Sequence, residues 1–416
     1  MVKVRPFKGV RPPQAIANKV ACLPYDVMNS QEAAQMAAGK PESLLHVTRA
    51  EIDLPADVDP HSDTLYQKSL DNYNAMKSNG WLVKDNKPCY YVYAQTMEGR
   101  RQCGIVGAAW AQDYVEGRIK KHELTRPDKE EDRMVLTRWL KANVEPVFFA
   151  YKAVAEIDEI VAETVAKTPT YDFVAEDGFG HTLWVIDEDA KVARLQELFA
   201  TKVDSTYVAD GHHRTAAAAR IGAEFAAKNP NHTGEEDYNY FMAVHFPDSQ
   251  LRIMDYNRVV KDLNNLTEQE FIAKVENTMT VTHMGSAPYA PQKLHEFSMY
   301  LAGTWYKLEA KPGTYNDNDP IGVLDVTVLS NNILADVLDI QDLRRSTRID
   351  FVGGIRGLGE LQRRVDSGEM KVAFGMYPVS MKQLIDIADS GNIMPPKTTW
   401  FEPKLRSGLV IKEIEE

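Results

Sequence analysis

Asp210-Gly-His-His-Arg214 is the stretch whose residue types could most directly do chemistry. Ser205-Thr-Tyr-Val-Ala209 before it reads as a short buried strand, and Thr215 to Ala227 after it as a helix. The stretch is therefore a strand-to-helix turn, with Gly211 supplying backbone freedom. A helix N-terminus carries partial positive charge and favours acids. His212, His213 and Arg214 crowd that end instead. Free backbone N–H groups and basic side chains together would hold an anion such as phosphate. The plainer alternative is an Asp210 N-cap followed by surface residues.

Three other groups could take part. His122-Glu123 lies in a polar loop near several cations, and a glutamate there can act as general base on a hydroxyl within hydrogen-bond reach. Lys129, Asp132 and Arg133 share the first turns of one helix face, where ion pairing at a solvated helix start is the plainer reading. Lys397, Thr398, Thr399, Lys404 and Arg406 line up donors near the C-terminal end, with Trp400, Phe401 and Leu405 as apolar anchors. Such a run could wrap a phosphate or carboxylate; an exposed basic tail is the alternative. Asp26 sits in a loop between Tyr25 and a helix start, either as a ligand contact or as a turn acid.

These residues need elements to position them. Capping-box patterns at Asn29/Glu32, Asp128/Glu131, Thr267/Glu270 and Ser380/Gln383 predict helix starts. Helices are also expected over His61–Asn79, Val154–Ala166, Asp187–Ala200, Pro291–Leu301, Val328–Leu338 and Leu358–Val365. Strands are expected at Leu23–Val27, Trp81–Val83, Tyr90–Ala94, Cys103–Trp110, around Val281, and at Trp305–Glu309, Ile349–Val352 and Lys371–Tyr377. Tyr171–Ala175 and His181–Ile186 form a hairpin, and Asn239–Phe246 pairs with Leu251–Met254. The tyrosine run from Tyr90 reads as a sheet surface, and His245 as a core or sheet-face histidine. Gly313–Pro320 is a linker rich in turn formers.

Composition narrows the class. The chain has 416 residues, 48 Lys and Arg against 60 Asp and Glu, and a net charge of -12. That balance disfavours general nucleic-acid or membrane binding. Three cysteines without a Cys-x-x-Cys pattern exclude a disulfide framework or zinc knuckle and fit a reducing cytoplasm. No secretory signal or apolar membrane-length run is read. The usual dinucleotide, P-loop and Gly-x-Ser-x-Gly patterns are missing, and Gly353–Gly359 lacks their spacing. A hard cation bridging phosphates remains compatible, magnesium rather than zinc.

Val208-Ala-Asp-Gly-His-His-Arg214 with its alanine-rich helix resembles the nucleotide-phosphate turn of the ParB/sulfiredoxin-like superfamily, and within it the free serine kinases of archaea. His122-Glu123 is similar to the kinases' Pro-His-Glu segment, with Lys121 in place of Pro. Gly368-Glu369, Pro378, Gly391 and Pro396-Lys-Thr-Thr399 resemble their C-terminal end, and the three matches keep chain order. Over nearly its full length the chain also resembles a broad bacterial and archaeal family carrying Pro24-Tyr-Asp-Val27, Lys129 with Asp132-Arg133, the Asp-Gly-His-His-Arg turn and the Lys-Thr-Thr ending. Sulfiredoxin itself is disfavoured, because its nucleophilic cysteine would fall at His212.

The resemblance implies an α/β (α+β) fold with mixed sheets and flanking helices: an N-terminal region over 1–104, a ParB/sulfiredoxin-like nucleotide-binding core with an insertion over 105–256, and a C-terminal α/β region over 257–416 completing the site. It implies phosphoryl transfer between ATP or ADP, with Mg2+, and free serine, or the reverse from phosphoserine. Glu123 would be the base on the serine hydroxyl. Asp210 would orient the turn or bind the metal, with His212 beside it. Gly211, His212, His213 and Arg214, with Lys129 and Arg133, would hold nucleotide phosphates. Lys397, Thr398, Thr399 and Asp26 would bind substrate. Other readings are a non-catalytic ParB-like nucleotide switch and a phosphoserine phosphatase.

Overall fold

The computed structural model describes residues 1–59 and 61–415. The chain is α/β with mixed sheets and divides into two compact units: Met1–Leu251 with Pro403–Glu416, and Arg252–Glu402. Among the described residues, no helix is long and apolar enough to cross a membrane.

The first unit is organised by a nine-stranded sheet: β1 (Val4–Arg5), β2 (Tyr90–Met97), β3 (Arg100–Trp110), β4 (Ile119–Lys120), β5 (Val147–Tyr151), β6 (Tyr171–Val174), β7 (Gly180–Ile186), β8 (Thr206–Asp210) and β9 (Tyr240–Pro247). The order is β4-β8-β5-β9-β3-β2-β7-β6, with β1 on β3. The β2–β3 hairpin turns through Glu98 and Gly99, both at positive φ, which suits the twist of paired strands. Tyr90, Tyr91 and Tyr93 are fully buried core residues, correcting the expectation of a sheet surface. Their hydroxyls find internal partners, as buried phenols must: Tyr90 donates to the Val4 carbonyl and Tyr91 to Asp85.

Two helices frame the turn after β8. Helix α1 (Pro127–Leu140) packs on α2 (His212–Lys228) through Met134, Ala217 and Ile221. Arg138 Nη2 to Glu224 at 2.7 Å and Arg220 Nη1 to Glu130 at 3.0 Å tie the pair at its rim. The small side chains of the alanine run permit this close packing. Helix α1 starts one residue before Asp128, with Pro127 in its first turn and Arg126 as N-cap, so no Asp128 capping box forms. The helix expected from Asp187 likewise starts at Asp189 without a side-chain cap.

The second unit carries a six-stranded antiparallel sheet: β11 (Tyr256–Val260), β12 (Met279–Gly285), β13 (Glu296–Leu301), β14 (Thr304–Ala310), β15 (Ile349–Gly353) and β16 (Val372–Gly375), in the order β12-β14-β13-β16-β11-β15. A separate two-stranded ladder joins β10 (Ile253–Met254) to β17 (Trp400–Phe401). So Leu251–Met254 does not pair with Asn239–Phe246 as expected. The helix expected over Pro291–Leu301 is β13: every residue of that strand is buried, and a fully buried strand shows no polar alternation to betray it. Leu23–Val27 is not a strand either, since Tyr25–Val27 forms a short 3-10 turn after Pro24. The capping boxes at Asn29/Glu32, Thr267/Glu270 and Ser380/Gln383 are all formed.

Candidate functional site

The turn after β8 is built by three local devices. A register shift between Val208 and Asp210 on the β5 edge re-aims Asp210 at the strand end. Gly211 then adopts φ 89°, ψ 36°, a left-handed conformation. Helix α2 starts at His212, earlier than the expected Thr215, and no side chain caps it. The first-turn amides of His212, His213 and Arg214 therefore keep their donor capacity for a ligand. A Cβ on Gly211 would also stand 3.2 Å from the Arg214 guanidinium. Gly211→Ala is expected to lower unfolding free energy by about 1–2 kcal/mol from the backbone alone. Chemical denaturation would show this, and a wild-type midpoint would refute it.

Asp210 sits between two cations: Oδ1 lies 3.6 Å from Lys404 Nζ, and Oδ2 lies 3.5 Å from Arg214 Nη2. Burial alone would raise its pKa, but Lys404 and Arg214 outweigh it and hold the carboxyl below its ordinary value. Lys404 is fixed from behind, since its carbonyl accepts from Gln95 Nε2 at 2.9 Å and Gln95 Oε1 accepts from Gln102.

Arg214 is buried and donates through Nη1 to the Pro146 carbonyl. Burial works against its charge, but Asp26, Asp210 and Glu145 face it and raise its pKa. Asp26, from the N-terminal region, thus lies at the turn and acts on His213 as well. Glu145 is buried, which raises its pKa, while Arg133 and Arg214 pull it back down. It accepts from the Tyr25 amide at 3.0 Å and from Arg133 Nη1 at 3.3 Å. Arg133 also pairs with Asp132 at 2.6 Å and covers the Tyr25 ring at 3.8 Å. It is thereby committed to positioning the Tyr25–Asp26 loop. Lys129 is exposed on α1.

The two histidines of the turn are not cations. Burial, with His213 and Lys121 nearby, pulls His212 down to about 3. His213 is lowered too, mainly by burial. Of the three basic residues read from the turn, only Arg214 brings charge at neutral pH. The His212 ring meets His122 edge-on at 4.6 Å between centroids, and its Nδ1 lies 3.8 Å from Glu123 Oε2. His212 Nε2 is buried without a hydrogen-bond partner among the described residues. Such an orphan invites a ligand or water.

The first unit thus gathers Asp26, Glu123, Arg133 and Asp210 to Arg214 around one turn. Lys397, Thr398 and Thr399 belong to the second unit, where Thr398 is buried and Lys397 exposed. Sequence reasoning passed over Glu145 and quoted His122 only as the neighbour of Glu123. Glu145 carried a signal: an acid inside the apolar run Val144 to Phe149 is a buried-acid candidate. Tyr25 was quoted only within the Pro24-Tyr-Asp-Val27 motif, and nothing local marked Pro146; both enter through long-range packing. Among the described residues, no group of three or more His, Cys, Asp or Glu side chains is arranged to hold a metal.

Solved structures with some likeness include a conserved hypothetical protein from Pyrococcus furiosus, at 13% identity and TM-score 0.36, covering 74% of this chain and 95% of that one. A free serine kinase in complex with AMP has 13% identity and TM-score 0.34, covering 74% and 91%. SbnI from Staphylococcus aureus, truncated at its C-terminus, has 11% identity and TM-score 0.37, covering 74% and 87%. No curated protein matches the chain. Residues 4–327, which include the whole turn from Asp210 to Arg214 together with Asp26 and Glu123, match the family described as protein of unknown function (DUF1015), and the chain belongs to that family.

Proposed function

We propose that the protein transfers a phosphoryl group between a nucleotide, ATP or ADP, and the hydroxyl of a small amino acid, free serine in the first instance. The observation that carries this reading is the uncapped first turn of α2. That turn carries main-chain amides, the buried Arg214 guanidinium and a His212 Nε2 without a hydrogen-bond partner among the described residues, with the Glu123 carboxylate 3.8 Å from His212 Nδ1. Phosphoryl transfer asks a protein mainly for positioning and charge neutralisation. The choice of serine rests on the resemblance to free serine kinases, as does the assignment of Lys397, Thr398 and Thr399 to the substrate's acid group.

In this reading the amides of His212 to Arg214 cradle the nucleotide phosphates. Neutral His212 donates or accepts a hydrogen bond without adding charge. Glu123 takes the serine hydroxyl proton as the oxygen attacks phosphorus. One P–O bond to the nucleotide breaks, one to serine forms, and the shortened nucleotide leaves. Asp210 is the residue that would hold Mg2+, as a single carboxylate suited to a hard cation. Bound there, Mg2+ would neutralise charge on the phosphates.

Incubation with serine, Mg2+ and each nucleotide in turn, followed by detection of O-phosphoserine, tests the proposal. Product with ATP or ADP is expected. No product with any pair sinks the catalytic reading and leaves a nucleotide switch. Phosphate release from phosphoserine with no nucleotide present would point to a phosphatase.

A further inference from the structure

The first unit holds a cavity of about 240 Å3 beside the β6–β7 turn, with apolar walls from Ala21, Cys22, Leu23, Met36, Leu45 and Phe173. That volume is room for about eight waters. None of the residues framing the Asp210–Arg214 turn lines it, and β6 lies at the end of the sheet opposite to β4 and β8. Its charged lining is three cations, Lys19, Lys40 and Arg406, and two acids, Glu176 and Asp177.

Lys404 and Arg406 stand together in the sequence, but the structure parts them. Lys404 meets Asp210, whereas Arg406 engages Tyr93 of β2 and His181 of β7 and lines this cavity. The Arg406 side chain is 7% exposed. Burial, with Arg406 beside it, lowers His181 to about 3, so the ring is neutral and its Nε2 accepts from Arg406 Nε at 3.2 Å. The ring proton therefore sits on Nδ1, which donates to Tyr93 Oη at 2.7 Å. That oxygen also accepts from the Arg406 amide at 3.2 Å. The guanidinium is thus fixed at its Nε. Its Nη2 pairs with Asp177, and among the described residues its Nη1 has no hydrogen-bond partner.

Asp177 is 33% exposed and sits in the β6–β7 turn beside Gly178, at φ 82°. Glu176, 77% exposed, pairs with Lys40. The buried charge of the cavity is therefore the cation, and both acids lie toward solvent. A carboxylate that enters can replace Asp177 without leaving the buried guanidinium unpaired, which avoids the usual cost of breaking such a pair. The two Nη groups of one guanidinium suit the two oxygens of a carboxylate, and the apolar walls would cover a hydrocarbon body.

We propose that this cavity binds a small monocarboxylate with an apolar body, whose carboxylate takes the place of Asp177 on Arg406. The site is separate from the phosphoryl-transfer reading and stands without it.

Calorimetric titration of the full chain with butyrate, 4-methylpentanoate and phenylacetate, each against its neutral amide, is the test. Saturable binding of at least one acid is expected, with no binding of its amide. Arg406→Met should weaken it at least about tenfold, the worth of one hydrogen bond to a charged group. Ala21→Leu, which fills the cavity from a partly exposed wall and leaves every charge in place, should abolish it. Asp177→Asn removes the competing carboxylate and should tighten it by about tenfold. A merely structural Arg406–Asp177 pair predicts no such gain. If Arg406→Met does not fold, Ala21→Leu and Asp177→Asn decide the matter. No saturable binding of any of the three acids, equal binding of an amide, or weaker binding by Asp177→Asn would overturn the proposal. Nucleotide titration of the same two variants reports separately on the Asp210–Arg214 turn.

Discussion

Replacing Glu123 by Gln is expected to lower phosphoserine formation by about a hundred- to ten-thousand-fold, the usual worth of a positioned general base, while leaving nucleotide binding unchanged. The swap keeps size and hydrogen-bonding reach but removes the proton acceptor. The proposed phosphate cradle would not depend on Glu123: it would be made of α2 amides, the Gly211 turn and Arg214, which is held by the Pro146 carbonyl and faced by Asp26 and Asp210. Glu123 faces that assembly at His212 Nδ1, 3.8 Å away, beyond a hydrogen bond. Single-turnover rates and nucleotide titration of the same variant check both halves. A variant as active as wild type would remove Glu123 from the chemistry. One that loses nucleotide binding would make it part of the cradle instead.

What the sequence disclosed and withheld follows from the range of the forces involved. The Asp210–Arg214 turn was legible because a glycine between a β-branched, aromatic strand and an alanine-rich helix has few other readings. The capping boxes at Asn29, Thr267 and Ser380 were legible for the same reason: their donors and acceptors sit three residues apart. The charge state of the turn was not. His212 and His213 look basic as letters, yet burial by chain segments far away in sequence keeps them neutral. Lys404 could be counted as a donor near the end of the chain, but its pairing with Asp210 crosses nearly two hundred residues. The strand Glu296–Leu301 was misread because a strand buried on both faces loses its alternation. The tyrosines of β2 were misread because aromatic surface and aromatic core share one pattern.

Acidification is expected to unfold the first unit before the second. Four histidines of the first unit, His122, His181, His212 and His245, are buried. Burial, reinforced by Arg406 beside His181 and by His213 and Lys121 beside His212, holds these two at about 3. Burial holds His245 at about 4 and His122 well below its ordinary value. In the unfolded chain each titrates near its ordinary value of about 6.5. The folded pKa is the lower one, so the unfolded state binds more protons over the interval between them. Stability is then fully present above about pH 6.5 and is lost as pH falls toward the folded values. Each imidazole steepens the loss by up to about 1.4 kcal/mol per pH unit. Asp132 and Asp210, both lowered, add to the loss below about pH 4. Asp113, Glu145 and Asp158 are raised by burial and oppose it, but only near the carboxylate range. The second unit carries the opposite case: burial raises Asp325 to about 7, partly offset by the His295 amide, which donates to it at 2.8 Å. Its folded pKa exceeds the unfolded one, so that unit gains stability as pH falls from about 7 to about 4. Hydrogen exchange at stepped pH, followed separately in β2, β3 and β9 and in β11, β13 and β16, should show the first set opening at the higher pH. His245→Asn, which removes one buried imidazole whose Nδ1 meets the Ile105 carbonyl, should flatten that slope by about one proton. Simultaneous opening of both sets, or a slope unchanged in the variant, would show that these buried imidazoles do not set the acid limit of the fold.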